Sequence, residues 1–292
     1  MILLDGAVAT ELERRGLPMA APWWTTRALL TEHGRELLRA VHRRYLEAGA
    51  RVLTANTFRC NLRALRRAEL DERQAGRMVR LAVDLARSAR DGHDDVVVAG
   101  SMAPVEDCYR PDLVPADAEL RAEHRWMAGQ LAAAGIGLAL IETVNTVREA
   151  RIAVEEAREA SLTAWVSFVC GPSATLLSGE PVARAAAAVY RAGAAAVLVN
   201  CTSLDVARGC VAELAGLGAG DIGVMPNLEP RNGPPVPPDR FAALMSGWRR
   251  RYGLTLLGGC CGTTPAHITA LNGWEDAHDG LAAGPRAVHD RP

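Results

Sequence analysis

Three cysteines stand out by type and spacing. Cys260 and Cys261 are adjacent in "LLGGCCGTTP" (256–265), and Cys201 lies near the end of the apolar run "LVNCTS" (198–203). Successive strand residues point to opposite faces, so neighbouring thiols serve one centre only where the chain turns sharply. Glycines on both sides of the pair permit such a turn, at positions where a core strand would carry bulk. Three thiolates with no fourth protein ligand form the donor set of a Zn2+ ion with an open position. That centre has a net charge of about −1, which makes it a weak Lewis acid but a good holder for a substrate thiol. A free thiol is only a few per cent ionised at pH 7, whereas a metal-held one is fully ionised yet still electron-rich. The natural reaction is attack of that sulfur on a carbon electrophile, with alkyl transfer the simplest case.

Competing uses of these residues are bland. Any one cysteine in an apolar strand is more often small filler than a ligand, and Cys60, Cys108, Cys170 and Cys210 are read that way. A vicinal disulfide between Cys260 and Cys261 would instead make a redox switch. Glu142 and Asp5 each have a second reading, as caps of the helices that follow them. His42 and His267 fall in helical patterns and read as packing or surface residues.

The elements that must position this chemistry follow a rhythm. Eight short apolar runs recur: 2–6, 50–58, 95–104, 137–144, 162–170, 195–203, 222–229 and 254–262. They are continuous rather than alternating, as in parallel strands buried on both faces. Helical patterns separate them at 35–49, 77–90, 118–135, 147–160, 181–193, 203–218 and 240–253, and one more follows at 264–274. Eight strand–helix units predict a single (β/α)8 TIM barrel over residues 1–274, with 275–292 as a loosely ordered tail. A doubly wound sheet is the competitor, and it leaves the eighth strand unexplained. The active site of such a barrel lies at the C-terminal strand ends. Those ends carry Asp5, Asn56, Ser101, Glu142, Cys170, Asn200 with Cys201, Asn227, and Cys260 with Cys261. Cys201 and the pair are two strands apart, about 10 Å between backbones, which inward side chains can span to a shared ion.

Composition narrows the function. The chain has 292 residues and a net charge of −1, so no basic field points to nucleic acid or an anionic membrane. All 33 basic residues are arginine. The absence of lysine excludes a Schiff-base lysine, a pyridoxal-phosphate anchor and a P-loop lysine. No run reaches the roughly 18 apolar residues of a membrane helix, and the N-terminus lacks the basic region of a signal peptide. Seven cysteines, an odd number, read as reduced thiols in a cytoplasm.

The sequence resembles the homocysteine S-methyltransferase family, with its S-methylmethionine- and betaine-dependent enzymes and the N-terminal module of methionine synthase. The likeness covers about residues 2–272. It is carried by "LLDGAVATELERRG" (3–16), "EAGARVLTANTF" (47–58), "GSMAP" (100–104), "IETV" (141–144), "LVNCTS" (198–203), "MPN" (225–227) and "GGCCGTTPAHI" (258–268). It implies a zinc-holding barrel with Cys201, Cys260 and Cys261 as ligands and homocysteine sulfur in the fourth place. It further implies that Asp5 and Gly6 lie over the amino acid and that Glu142 receives its ammonium group. Ser101 and Asn200 would help position it, and Trp23 or Trp24 would stand near a cationic methyl donor.

Two departures bear on the donor. "DGA" (5–7) resembles the S-methylmethionine branch, but the loop 229–239 is short and proline-rich where those members carry a longer insert. The folate and cobalamin modules of methionine synthase and the C-terminal arm of betaine enzymes are not expected. The sequence therefore predicts zinc-dependent methylation of homocysteine, from S-methylmethionine, by a cytoplasmic monomer or small homo-oligomer. Another thiol acceptor or a betaine-like donor is the nearest alternative, and a zinc or redox-sensing barrel without turnover is the remoter one.

Overall fold

The computed structural model describes residues 1–228 and 236–279, with side chains through 274. Its strands are β1 (Ile2–Leu3), β2 (Val52–Ala55), β3 (Val97–Met102), β4 (Leu138–Val144), β5 (Thr163–Phe168), β8 (Ala196–Ser203), β9 (Asp221–Asn227) and β10 (Leu256–Leu257). They pair in parallel in the order β1-β10-β9-β8-β5-β4-β3-β2. A parallel bridge from Leu4 to Val52 joins the two ends of that order and completes the ring. The small antiparallel pair β6 (Cys170–Gly171) and β7 (Thr175–Leu176) lies outside it.

The helices are α1 (Val8–Glu13), α2 (Glu32–Glu47), α3 (Leu62–Arg67), α4 (Glu72–Arg90), α5 (Asp117–Ala133), α6 (Val147–Glu159), α7 (Val182–Ala192), α8 (Leu204–Gly216), α9 (Pro238–Tyr252) and α10 (Pro265–Asp279). Their starts follow local chemistry. Thr31 accepts from the Gly34 N–H to cap α2, and Asp71 with Gln74 forms a reciprocal capping box on α4.

The apolar runs are continuous because the strands are covered twice. Leu4, Val52, Leu138, Leu198 and Leu256 fill the barrel interior. Alternate residues such as Leu53, Val166, Val197 and Val199 pack outward against the helices.

Expected and observed elements differ where capping rather than periodicity decides. The helix expected at 77–90 starts at Glu72, and the short α3 precedes it behind an Asn61 cap. α10 runs on to Asp279, past the boundary expected at residue 274. Residues 280–292 of the expected tail, and 229–235 of the proline-rich loop, lie outside the described residues. Among the described residues no helix is long and apolar enough to cross a membrane.

Candidate active site

The C-terminal strand ends enclose a cavity of about 350 Å³. Leu140 and Met225 belong both to the barrel core and to the lining of this cavity. Above them stand a cluster of sulfurs, two buried carboxylates and an aromatic rim.

The sulfur cluster depends on two local breaks in regular structure. β8 loses register against β9 between Asn200 and Ser203, and Cys201 sits in that bulge with φ of 48°. A left-handed backbone at a non-glycine residue costs on the order of 1–3 kcal/mol and survives only where its surroundings enforce it. β10 ends at Leu257, and the chain then turns at Cys261 and Gly262. This is the turn that lets adjacent thiols serve one centre. The three Sγ atoms lie within 4.8 Å of one another, and the Cys201 and Cys260 sulfurs are 2.8 Å apart with no disulfide.

The cysteine turn is stitched to the N-terminal loop. Thr263 Oγ accepts from the Ala7 N–H at 3.0 Å and donates to the Cys260 carbonyl at 2.7 Å. The Gly259 N–H donates to the Asp5 carbonyl at 3.1 Å. A Cβ on Gly6 would stand 2.6 Å from Thr263 Oγ and 2.9 Å from the Tyr45 hydroxyl, and one on Gly259 would run into the Thr263 side chain. Both glycines are required by this close approach rather than by turn conformation.

The donor set fits a tetrahedral ion. Three thiolates bonded at roughly 2.3 Å keep their sulfurs about 3.8 Å apart, a spacing within the span of this cluster. The proton arrangement points the same way. S–H donation from Cys201 and Cys260 holds the Cys261 thiol well below its ordinary range. Cys260 is pushed up by its hydrogen bonds to Cys201 and Cys261 and by burial. One thiolate therefore forms readily, and it keeps the other two thiols protonated until a cation neutralises the cluster.

Glu142 and Asp5 form the second part. β4 has its own register shift between Ile141 and Val144, with Thr143 at φ 61°. Ser101 Oγ donates to Glu142 Oε1 at 2.5 Å, and Asn200 Nδ2 donates to Oε2 at 3.3 Å. Asn200 is itself fixed, accepting from the Thr143 N–H and the Ser167 hydroxyl. Desolvation raises Glu142 to about 7 against the Ser101 hydrogen bond, and the charges of Asp5 and Cys261 push the same way. Asp5 also rises to about 7 through burial, although the Thr54 N–H and hydroxyl donate to it at 2.7 and 2.9 Å. Neither carboxylate has a cationic partner among the described residues. Such a pair is built to receive a positive charge from a ligand.

The structure sorts the expected residues. Asp5, Gly6, Ser101, Glu142, Trp24, Cys201, Cys260 and Cys261 all line the cavity. Asn200 does not line it but lies buried and donates to the Glu142 carboxylate. Of the two tryptophans between which the sequence left the choice open, Trp24 lines the cavity at its rim, 41% exposed, while Trp23 packs against the hydrophobic core. Helix-cap readings of both acids fail: Thr146 caps α6, and α1 has no side-chain cap at all. Cys108 is buried as expected, yet it also lines the cavity, its thiol raised to about 11 by burial.

Sequence reasoning missed Thr54, Thr263, Arg59 and Tyr109. Thr54 was visible as a hydroxyl within an apolar run, and Arg59 and Tyr109 as polar residues just beyond strand ends. Tyr109 is 52% exposed, and its phenol is pushed up by burial and then by the Cys201 sulfur beside it.

Comparison with known proteins agrees with this geometry. The family model described as homocysteine S-methyltransferase matches residues 2–274. Homocysteine S-methyltransferase YbgG of Bacillus subtilis is 28% identical, over 94% of both chains. Selenocysteine Se-methyltransferase of Brassica oleracea is 27% identical, covering 92% of this chain and 87% of its own. The crystal structure of the metallated homocysteine methyltransferase MmuM from Escherichia coli superposes with a TM-score of 0.83 at 30% identity, covering 94% of this chain and 96% of the other. The chain belongs to the homocysteine S-methyltransferase family.

Proposed function

We propose that this protein methylates the sulfur of homocysteine, with S-methylmethionine as donor and zinc as cofactor, in a compartment such as the cytoplasm where its thiols stay reduced. The observation that carries the reading is one cavity holding three convergent sulfurs beside a buried, cation-free carboxylate. Cys201, Cys260 and Cys261 would hold the zinc, whose charge, when bound, keeps a substrate thiol ionised at neutral pH.

The remaining work falls to this chain's own residues. Glu142, braced by Ser101 and Asn200, accepts the homocysteine ammonium group and so fixes where its sulfur can reach. The Asp5–Gly6 loop, tied down through Thr263, closes over the amino acid. Trp24 borders the donor. The methyl carbon leaves the sulfonium sulfur as its C–S bond breaks, and the homocysteine sulfur forms the new C–S bond. Both products are neutral thioethers, here two methionines, and the thiol proton is lost on binding. Side-by-side binding replaces a bimolecular encounter and supplies much of the rate.

The test is methionine formation from homocysteine and S-methylmethionine by the zinc-loaded protein, with a chelated control. Chelator-sensitive methionine supports acceptor, donor and metal together. Failure with zinc still bound at one per chain would move the assignment to another acceptor or donor, with selenocysteine the first acceptor to try given the Brassica relative.

A further inference from the structure

Arg59 follows β2 in "ANTFRC" (55–60) and lines the cavity. Its guanidinium lies 5.4 Å from the Trp24 ring centre and 5.2 Å from that of Phe58. Among the described residues it makes no hydrogen bond or ion pair, whereas nearby Arg63 is engaged by Glu106, Glu119 and Glu123. It is also the one cationic side chain among the described residues that line the cavity. The same cavity is lined by Asp5, Glu13, Glu142 and the three thiols. A guanidinium held near two aromatic rings keeps its fork of hydrogen-bond donors open. That fork matches a carboxylate in two parallel hydrogen bonds.

We propose that Arg59 receives the carboxylate of the methyl donor. The inference rests on the methyl-transfer reading above and adds what the donor must carry. A sulfonium amino acid has a cationic sulfonium at its reacting end and, at the other end, an ammonium group beside a carboxylate, the one anionic group it carries. The acidic, sulfur-rich interior attracts the sulfonium and repels the carboxylate. A single cation anchored on the exposed Trp24 then turns the donor so that its methyl group enters first and its carboxylate stays at the mouth. The aromatic faces of Trp24 and Phe58 serve Arg59, and the donor's cation is drawn by the carboxylates and sulfurs instead. The homocysteine carboxylate needs no part of this receptor, because Glu142 fixes that substrate by its ammonium group.

The experiment compares wild type, Arg59→Gln and Arg59→Lys in steady-state methyl transfer. It uses S-methylmethionine and its carboxyl methyl ester, and equilibrium dialysis measures S-methylmethionine binding directly. The expected result is a KM for S-methylmethionine raised roughly 10- to 100-fold in Arg59→Gln, the size of a charge-assisted pair. Arg59→Lys should recover part of it, and the homocysteine KM should stay within about twofold. The ester should be a poor donor for wild type and no worse for Arg59→Gln. Unchanged donor KM in a variant that still turns over would overturn the assignment and leave the methyl-transfer reading intact. A raised homocysteine KM instead would assign Arg59 to the acceptor and equally overturn it. Arg59-dependent binding of S-methylmethionine without any methionine formed would do the reverse, sinking the function and sparing the carboxylate receptor. Absence of both binding and turnover in wild type would remove both.

Discussion

Two sets of cysteines in this barrel share a side chain and share little else. Cys60 and Cys210 are buried in the helix–strand core, and burial raises the Cys60 thiol to about 12, so it stays protonated and inert. Cys201, Cys260 and Cys261 stand at the rim, where a bulge and a turn bring their sulfurs within 4.8 Å. Backbone irregularity, not residue type, separates filler from candidate ligand. The core set would stabilise the fold as any small apolar residue does, while the rim set accepts strain at Cys201 to converge.

Replacing a rim cysteine is the largest test of that contrast. Cys201→Ser or Cys261→Ser should reduce zinc binding, proposed at one per chain, to near zero and methyl transfer by at least ~10³-fold, read by metal analysis and methionine formation. Retained zinc in either variant would break the comparison. Oxidation should act on the same set. Joining Cys260 to Cys261 should release zinc and stop activity, with recovery after reductant and zinc are added, and persistent activity after complete oxidation would remove the three-thiolate centre.

Next in size is the carboxylate that faces the sulfurs. Glu142→Gln should raise the homocysteine KM by about 100-fold, because a charge-assisted pair is lost inside a desolvated site. Its pH dependence has a definite sign. Glu142 is raised from 4.5 to about 7 on folding, so the stability linked to its protonated form is complete below about 4.5. That stability is lost as pH rises through about 7. Metal-free Glu142→Gln should therefore melt a few °C above wild type at pH 8 and level with it near pH 4.5, a difference thermal denaturation can resolve. Equal melting points at pH 8 would mean the carboxylate is not desolvated.

Smaller effects should come from the two adjacent tryptophans and the core thiols. Trp24→Ala should raise the donor KM severalfold with little change in melting, and Trp23→Ala should do the opposite, since only the first lines the cavity. Cys60→Ala should cost about 1 kcal/mol in urea denaturation and leave methyl transfer within about twofold.

Much of this was legible in the chain itself. Eight apolar runs, each followed by a helical pattern, determined a (β/α)8 barrel because parallel strands need crossovers and are buried on both faces. Polar residues ending those runs marked the rim, and the Gly-Gly-Cys-Cys-Gly stretch with Cys201 marked the candidate ligands. Side-chain chemistry travels with sequence, so donor type and strand order could be read directly. What only the tertiary structure decided depends on contacts between distant segments. Trp24 rather than Trp23 reaches the cavity, Asn200 donates to Glu142 from behind the lining, Thr263 binds the first loop to the last, and Arg59, near two rings, is the one cation among the described lining residues. The positions of Asn200 and Arg59 at strand ends are visible in the sequence, but none of these contacts has a local signature. Each is fixed by where the closed ring places strand ends that lie far apart in sequence, and by the two bulges that turn Thr143 and Cys201 out of regular pairing.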